Sequence, residues 1–134
     1  MPVNSRKVVA LAPYRLSRQL VASLGAYCEV RRGEDSARIE VVLKLRPGTH
    51  LGSAALEACD FALVGAKSGP IAARLIRAVP FFGNPLRVEL EATAELKESD
   101  GIRSVEVSGR GRGAPRRVLP NALFLLAEFT GQGG

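Results

Sequence analysis

Residues 86–97 read LRVELEATAELK, and this stretch carries the clearest structural pattern in the chain. Apolar residues alternate with charged or polar ones along its length, which is the pattern of a β-strand with one buried and one solvent-facing side. Ser99, Asp100 and Gly101 follow with the residue types of a turn. We therefore expect residues 102–108 to return antiparallel and complete a hairpin.

A second hairpin is predicted nearer the N-terminus. Residues 37–46 alternate in the same way, with apolar side chains at every second position from Ile39 to Leu45. Residues 27–31 precede them and form another apolar-containing run. The segment between the two runs is polar and contains Gly33, which is typical of a turn.

The rest of the chain is predicted to be mainly helical. Pro13 suits the first turn of a helix that extends to about Leu24, and Ser53 can cap a second helix. Two more helices are predicted at residues 71–79 and 120–129. This order indicates one α+β domain over residues 1–134, with a four-stranded antiparallel sheet built from two hairpins and helices packed on one face.

Length, composition and charge limit the kinds of protein that this chain can be. The chain has 134 residues and 46% hydrophobic residues, which is the range of a globular protein with a core of its own. Its apolar runs are too short to cross a bilayer, and no signal peptide is recognised, so we expect a cytoplasmic protein without a membrane partner. Nineteen Lys and Arg against 13 Asp and Glu give a net charge of +6, which favours polyanionic partners.

The most basic stretch is the segment 108–117, which we expect to be a flexible Arg/Gly-rich arm. Arginine suits phosphate because its planar fork donates two parallel hydrogen bonds and stays charged. The predicted phosphate contacts in the arm and in the first hairpin are Arg110, Arg112, Arg116, Arg117, Arg31 and Arg32. The alternatives for the arm are a solvated loop and a contact with an acidic protein.

A weaker anion site is predicted around Lys67. The sequence GAKSGP at residues 65–70 precedes a predicted helix, whose free N–H groups would attract an anion. Arg74 and Arg77 would extend the basic surface along that helix. The alternative is a plain turn with a solvated helix face behind it.

Three aromatic residues are candidates for stacking on nucleic acid bases. Phe81 and Phe82 are adjacent in a predicted loop, so both rings cannot easily enter the same core. They are predicted to cap the core, to mediate self-association or to stack on bases. Tyr27 is a further stacking candidate, and its alternative is a ring that packs the first helix against the core.

The sequence contains no metal-binding motif and implies no cofactor. Cys28 and Cys59 form neither a C-x-x-C motif nor a zinc set, so they are predicted to be two small buried residues, with a disulfide as the alternative. His50 is the single histidine, which argues against metal ligation. Acid–base catalysis by His50, as in a small nuclease or hydrolase, is the enzymatic alternative.

These observations favour a non-enzymatic protein that binds nucleic acid, either single strands or structured RNA, through arginine–phosphate contacts. The alternative from another class is a structural subunit of a ribonucleoprotein or transcription-type complex, with the chain itself or other proteins as partners. A subunit of that kind would bind nucleic acid weakly when it is purified alone.

Overall fold

The computed structural model describes most of the chain between residues 15 and 124. The described ranges are residues 15–32, 38–49, 53–65, 69–80, 86–94, 101–111 and 113–124. Two predicted elements extend beyond them, since the first helix was expected from Pro13 and the last to residue 129. Residues 15–23 are helical (α1), which confirms the first helix over its described part.

Strands dominate the described chain. They are β1 Leu24–Arg32, β2 Arg38–Leu45, β3 Cys59–Gly65, β4 Pro70–Pro80, β5 Leu86–Ala92, β6 Ile102–Gly109 and β7 Arg116–Pro120, and a short helix α2, Ser53–Glu57, precedes β3. All seven strands join one sheet in the order β1-β2-β5-β4-β3-β6-β7. Each neighbouring pair in this order is antiparallel.

The predicted α+β fold, with a four-stranded sheet and helices on one face, is therefore wrong. The helix expected at residues 71–79 is β4, and the helix that begins at Ser53 ends at Glu57, before β3. The error has a physical cause: Ile71 and Leu75 are four residues apart, which suits a helix, but Ala73 between them also faces the core. A short apolar run of this kind fits both the helical repeat of 3.6 residues and the strand repeat of two. Pairing with β3 and β5 decides in favour of the strand.

The prediction that residues 86–97 and 102–108 pair as a hairpin is also wrong, although both segments contain strands. β5 pairs with β2 and β4, whereas β6 pairs with β3 and β7. The inward positions of β5 match those of β2, for example Val88 opposite Val41. This long-range match decides the pairing, and turn residues near Gly101 carry no information about it. The first hairpin, β1 with β2, is confirmed.

The sheet nearly closes on itself where β7 approaches β1. A parallel bridge joins Cys28 to Asn121, and Val30 donates its N–H to Asn121 Oδ1 at 3.1 Å. We call this junction of β1 and β7 the seam. Because few main-chain hydrogen bonds cross it, side chains take over part of the closure, and the sheet becomes barrel-like.

The core fills the inside of the sheet and is covered by α1 at one end. Leu20 and Val21 of α1 are fully buried among the inward residues of the strands. The end that α1 covers is where β2 finishes, since Arg46 donates its N–H to Ser23 O at 2.8 Å. At the opposite end residues 122–124 are helical and follow β7, so the helix expected from Pro120 starts later than predicted. Within the described ranges no helix is long and apolar enough to span a membrane.

Candidate nucleic-acid interface

The Arg/Gly-rich segment 108–117 forms the β6–β7 hairpin. Gly109 donates its N–H to Pro115 O at 2.9 Å, which closes the connection between the strands. Gly111 and Gly113 have φ angles of 106° and 74°, and only glycine adopts such values readily. The segment expected to be an arm thus has both ends in strands, which fixes Arg116 and Arg117 on β7.

Arg117 points toward the seam and not toward solvent. It shares the inward side of β7 with Leu119, which is fully buried. Its guanidinium donates to Leu24 O at 3.1 Å and to Gly25 O at 2.9 Å, both on β1. These contacts assign Arg117 to closure of the sheet, so they do not support the phosphate contact predicted for it.

The other predicted arginines in the described chain behave differently, because most of them form exposed ion pairs. The pairs are Arg74–Glu91 at 2.8 Å, Arg77–Glu89 at 3.1 Å, Arg110–Asp60 at 3.0 Å and Arg116–Glu106 at 3.4 Å. The four arginine side chains are 59–70% exposed and so accessible to an anionic ligand. Exposed pairs contribute only about 0–1 kcal/mol each, but the Glu106 carboxylate is 15% exposed, so a phosphate at Arg116 would leave a largely covered carboxylate without this partner.

One aromatic candidate, Tyr27, is exposed at the seam. Tyr27 and Val118 are 42% and 48% exposed, and they are the large apolar side chains that face solvent among those whose exposure the structure describes. The bridge between Cys28 and Asn121 is parallel, so the residues that precede them, Tyr27 on β1 and Pro120 on β7, are neighbours across the seam. The alternative that Tyr27 packs the first helix against the core is wrong.

Charged side chains of both signs lie around this apolar surface: Glu29 lies between Tyr27 and Arg31 on the same side of β1, and Glu106 lies opposite Val118. Arg116 lies two residues before Val118 on the same side of β7, and its side chain is 65% exposed. Arg31 is exposed farther along β1. Lys44 lies on β2 directly beside Gly25 of β1: a Cβ atom added to Gly25 would lie 3.1 Å from Lys44 O. Neither Arg31 nor Lys44 forms an ion pair with another described residue. We define the seam face as Tyr27, Val118, Pro120, Arg31, Lys44 and Arg116.

Several predicted site residues lie outside the described residues, namely Lys67, Phe81, Phe82, Arg112 and His50. Their predicted roles stay predictions. Arg32 is the last residue of β1, opposite Ile39 of β2. Val118, Pro120 and Lys44 were not predicted as site residues, and the signal that identifies them is the alternation of β7 and β2 once the seam is known.

The two cysteines are free, buried thiols, and the alternative of a disulfide is wrong. Cys28 Sγ donates to Leu119 O at 3.6 Å across the seam, and Cys59 Sγ donates to Ala55 O at 3.4 Å. Burial, followed by the nearby Glu29 carboxylate, raises the pKa of Cys28 to about 12. Burial, followed by the Asp60 carboxylate, raises the pKa of Cys59 to about 11. Both groups therefore stay protonated near neutral pH and act as packing residues.

Comparisons with known proteins identify no relative. No family model, curated protein or solved structure matches this chain. Among the described residues, no group of three or more His, Cys, Asp or Glu side chains is arranged to hold a metal ion. The interpretation of the seam face accordingly depends on its own geometry and charge.

Proposed function

We propose that this protein binds single-stranded nucleic acid across the seam face and catalyses no reaction. The observation that carries the proposal is the exposure of Tyr27 on the outer side of the sheet, next to Pro120, with Arg31 and Arg116 on the same face. An exposed aromatic ring offers a stacking surface to any base, which contributes about 1–3 kcal/mol per base.

The cations of the seam face suit a polyanionic strand. Arg31 lies four residues beyond Tyr27 on β1, a distance of about 13 Å along an extended strand. Arg116 lies on the other side of the ring, along β7. A strand whose base stacks on Tyr27 therefore reaches Arg116 in one direction and Arg31, beyond Glu29, in the other. The net charge of +6 adds attraction that does not depend on sequence.

The geometry favours a single strand over a duplex. Bases in a duplex are stacked on one another, so their faces are not accessible to a protein ring unless a base is extruded. Tyr27 stands on the outer side of the sheet and is 42% exposed. Unpaired bases in loops of structured RNA would satisfy the same requirement.

The alternative role, a subunit of a larger ribonucleoprotein or transcription-type complex, is favoured by a surface that adjoins the seam face and shares Pro120 with it. The outward positions of β3, β6 and β7 near the seam are largely uncharged. Val64 lies opposite the buried Ser104, which in turn lies opposite the exposed Pro120, and the charged residues on these outward sides are Asp60, Glu106 and Arg116. Small uncharged side chains on adjacent strands suit a protein partner better than a phosphate backbone.

Fluorescence anisotropy with labelled single- and double-stranded RNA and DNA, at several salt concentrations, tests the proposal. We expect single strands to bind more tightly than duplexes of the same length. If Arg31, Lys44 and Arg116 each contact one phosphate, the slope of log K against log salt concentration is about −2 for a single strand, at about 0.7 per contact. A preference for duplex, or a slope near zero, would contradict this mechanism. Absence of binding by the isolated protein would favour the subunit role.

A further inference from the structure

Strand β1 contains a bulge beside the seam. The pairing register between β1 and β2 shifts between Leu24 and Cys28, so that residues 25–27 lie opposite Lys44 alone. Extra residues of this kind bend their strand and withdraw its main chain from the ladder. Tyr27, whose exposure carries the proposed function, is the last of the three. We call residues 25–27 the β1 bulge.

The β1 bulge directs two consecutive side chains to solvent. Leu24 and Cys28, on either side of it, are fully buried. In an uninterrupted strand Ala26 would face the core with them, because every second residue points to the same side. Ala26 is exposed instead, and so is Tyr27 after it. The main chain therefore leaves the surface of the sheet at this point and takes the tyrosine ring with it.

An apolar side chain on the regular part of the same surface is not exposed. Val42 of β2 points outward, by alternation with its buried neighbours, and lies between Glu29 of β1 and Arg87 of β5. It is 6% exposed, against 42% for Tyr27. Long charged side chains cover such a position by laying their hydrocarbon stems along it. A regular strand thus leaves an outward apolar side chain covered here, whereas the bulge leaves one in solvent.

Arg117 fixes the β1 bulge from the other side of the seam. Its guanidinium donates to Leu24 O at 3.1 Å and to Gly25 O at 2.9 Å. Carbonyl groups of consecutive residues point in opposite directions in a regular strand, so one guanidinium reaches both only where the strand is distorted. Arginine suits this task because its planar fork presents donors side by side. The two contacts therefore favour the bulged shape of β1 over the regular one.

Glycine at the start of the β1 bulge lets β1 pass close to β2. A Cβ atom added to Gly25 would lie 3.1 Å from Lys44 O and 3.4 Å from Lys44 Cβ. Lys44 O is a main-chain atom of β2, which cannot turn aside as the end of a flexible side chain could. A larger residue at position 25 therefore pushes the bulge away from β2.

We propose that the β1 bulge presents Tyr27 to a nucleic acid base, and that Gly25 and Arg117 shape the bulge for this purpose. The inference rests on the proposed function. A ring that is held in place before binding loses little conformational freedom when a base stacks on it, which favours affinity. Arg117 acts here on the shape of the main chain and not on a phosphate, so it contributes nothing to the salt dependence of binding.

Deletion of Gly25 and Ala26 removes the bulge and keeps the ring. Tyr27 then follows Leu24 directly and lies opposite Lys44, and loss of two residues preserves the alternation of the strand. We expect single-strand affinity, measured by fluorescence anisotropy, to fall roughly tenfold or more at an unchanged salt slope, as for the loss of one stacked base. An affinity equal to that of the natural chain would overturn the proposal.

Photo-CIDNP NMR measures the exposure of Tyr27 without nucleic acid, because it enhances the signals of tyrosine rings that a dye can reach. Both proteins carry Tyr14→Phe, so that Tyr27 is the remaining tyrosine. We expect strong enhancement with the bulge and weak enhancement after its deletion. Equal enhancement would overturn the proposal even if affinity fell. Enhancement that depends on the bulge, in a chain that binds no single strand, would instead contradict the proposed function and leave the bulge as the cause of the exposure.

Gly25→Val keeps the length of the chain and decides the question if the deletion variant does not fold. We expect it to lower the enhancement of Tyr27 and to weaken single-strand binding by at least about threefold, because its side chain moves the bulge away from Lys44. Gly69→Val is the matched control, since a Cβ atom at residue 69 would meet no described group within 4 Å. Equal affinities and equal enhancements in these two variants would contradict the role of the bulge.

Discussion

Replacement of Asn121 by Ala is expected to lower the free energy of unfolding by about 3–5 kcal/mol, because each buried polar partner left unsatisfied costs about 1–3 kcal/mol. Asn121 is 4% exposed and lies at the seam. Its amide group accepts hydrogen bonds from Val30 N and Leu123 N and donates one to Ile102 O at 2.9 Å. The side chain thus joins β1 to the start of β6, two parts of the sheet that no strand pairing connects directly.

Urea denaturation of the variant and of a neighbouring control measures this loss. Arg103→Ala is the control, since Arg103 is exposed and its main-chain carbonyl still accepts the N–H of Asn121. We expect the control to stay within about 0.5 kcal/mol of the natural chain. Similar midpoints for the two variants would show that the seam does not depend on Asn121.

Adjacent arginines on β7 are expected to have opposite roles. Arg117→Gln loses hydrogen bonds from a charged donor to Leu24 O and Gly25 O, each of which contributes about 1.5–3 kcal/mol when fully buried. Because both bonds are only partly buried, we expect stability to fall by about 2–4 kcal/mol. Arg116→Gln loses only an exposed pair at 3.4 Å and is expected to change stability by less than about 1 kcal/mol.

For nucleic acid binding we expect the opposite order, with Arg116→Gln having the larger effect and Arg117→Gln the smaller. Measured where both proteins are folded, Arg116→Gln is expected to weaken single-strand affinity and to reduce the magnitude of the salt slope by about 0.7, the value for one phosphate contact. Arg117→Gln is expected to keep the salt slope of the natural chain. The reverse result, with Arg117 controlling the slope and Arg116 controlling stability, would contradict the orientation of β7.

The sequence predicts local strand structure where alternation is long and unbroken. Residues 37–46 and 86–97 were assigned to strands for this reason, and β2 and β5 lie within them. The pattern of β4 is short and compatible with a helix, so its identity depends on pairing with β5, which the sequence does not show. The strand order follows from contacts between distant segments, for which turn residues give no evidence.

The candidate site is likewise predictable only in part: the sequence shows which residue types are present, but the direction of each side chain depends on strand pairing. Arg116 and Tyr27 are proposed from residue type alone, because cations and aromatic rings are the groups that bind nucleic acid, and the structure leaves both side chains exposed. The hydrogen bonds of Arg117 to β1 could not be predicted, because its inward direction becomes clear only when Leu119 is known to lie in a strand that faces β1. Val118 was missed for the same reason, since its exposure depends on the closure of the sheet.

The most direct test of single-strand binding at the seam face compares two substitutions of Tyr27. Tyr27→Phe keeps the ring, and Tyr27→Ala removes it from an exposed position where stability should change little. By fluorescence anisotropy with a single-stranded oligonucleotide, we expect Tyr27→Phe to bind like the natural chain and Tyr27→Ala to bind roughly tenfold more weakly or worse, which corresponds to the loss of one stacked base. Equal affinities of the Ala and Phe variants would contradict the account.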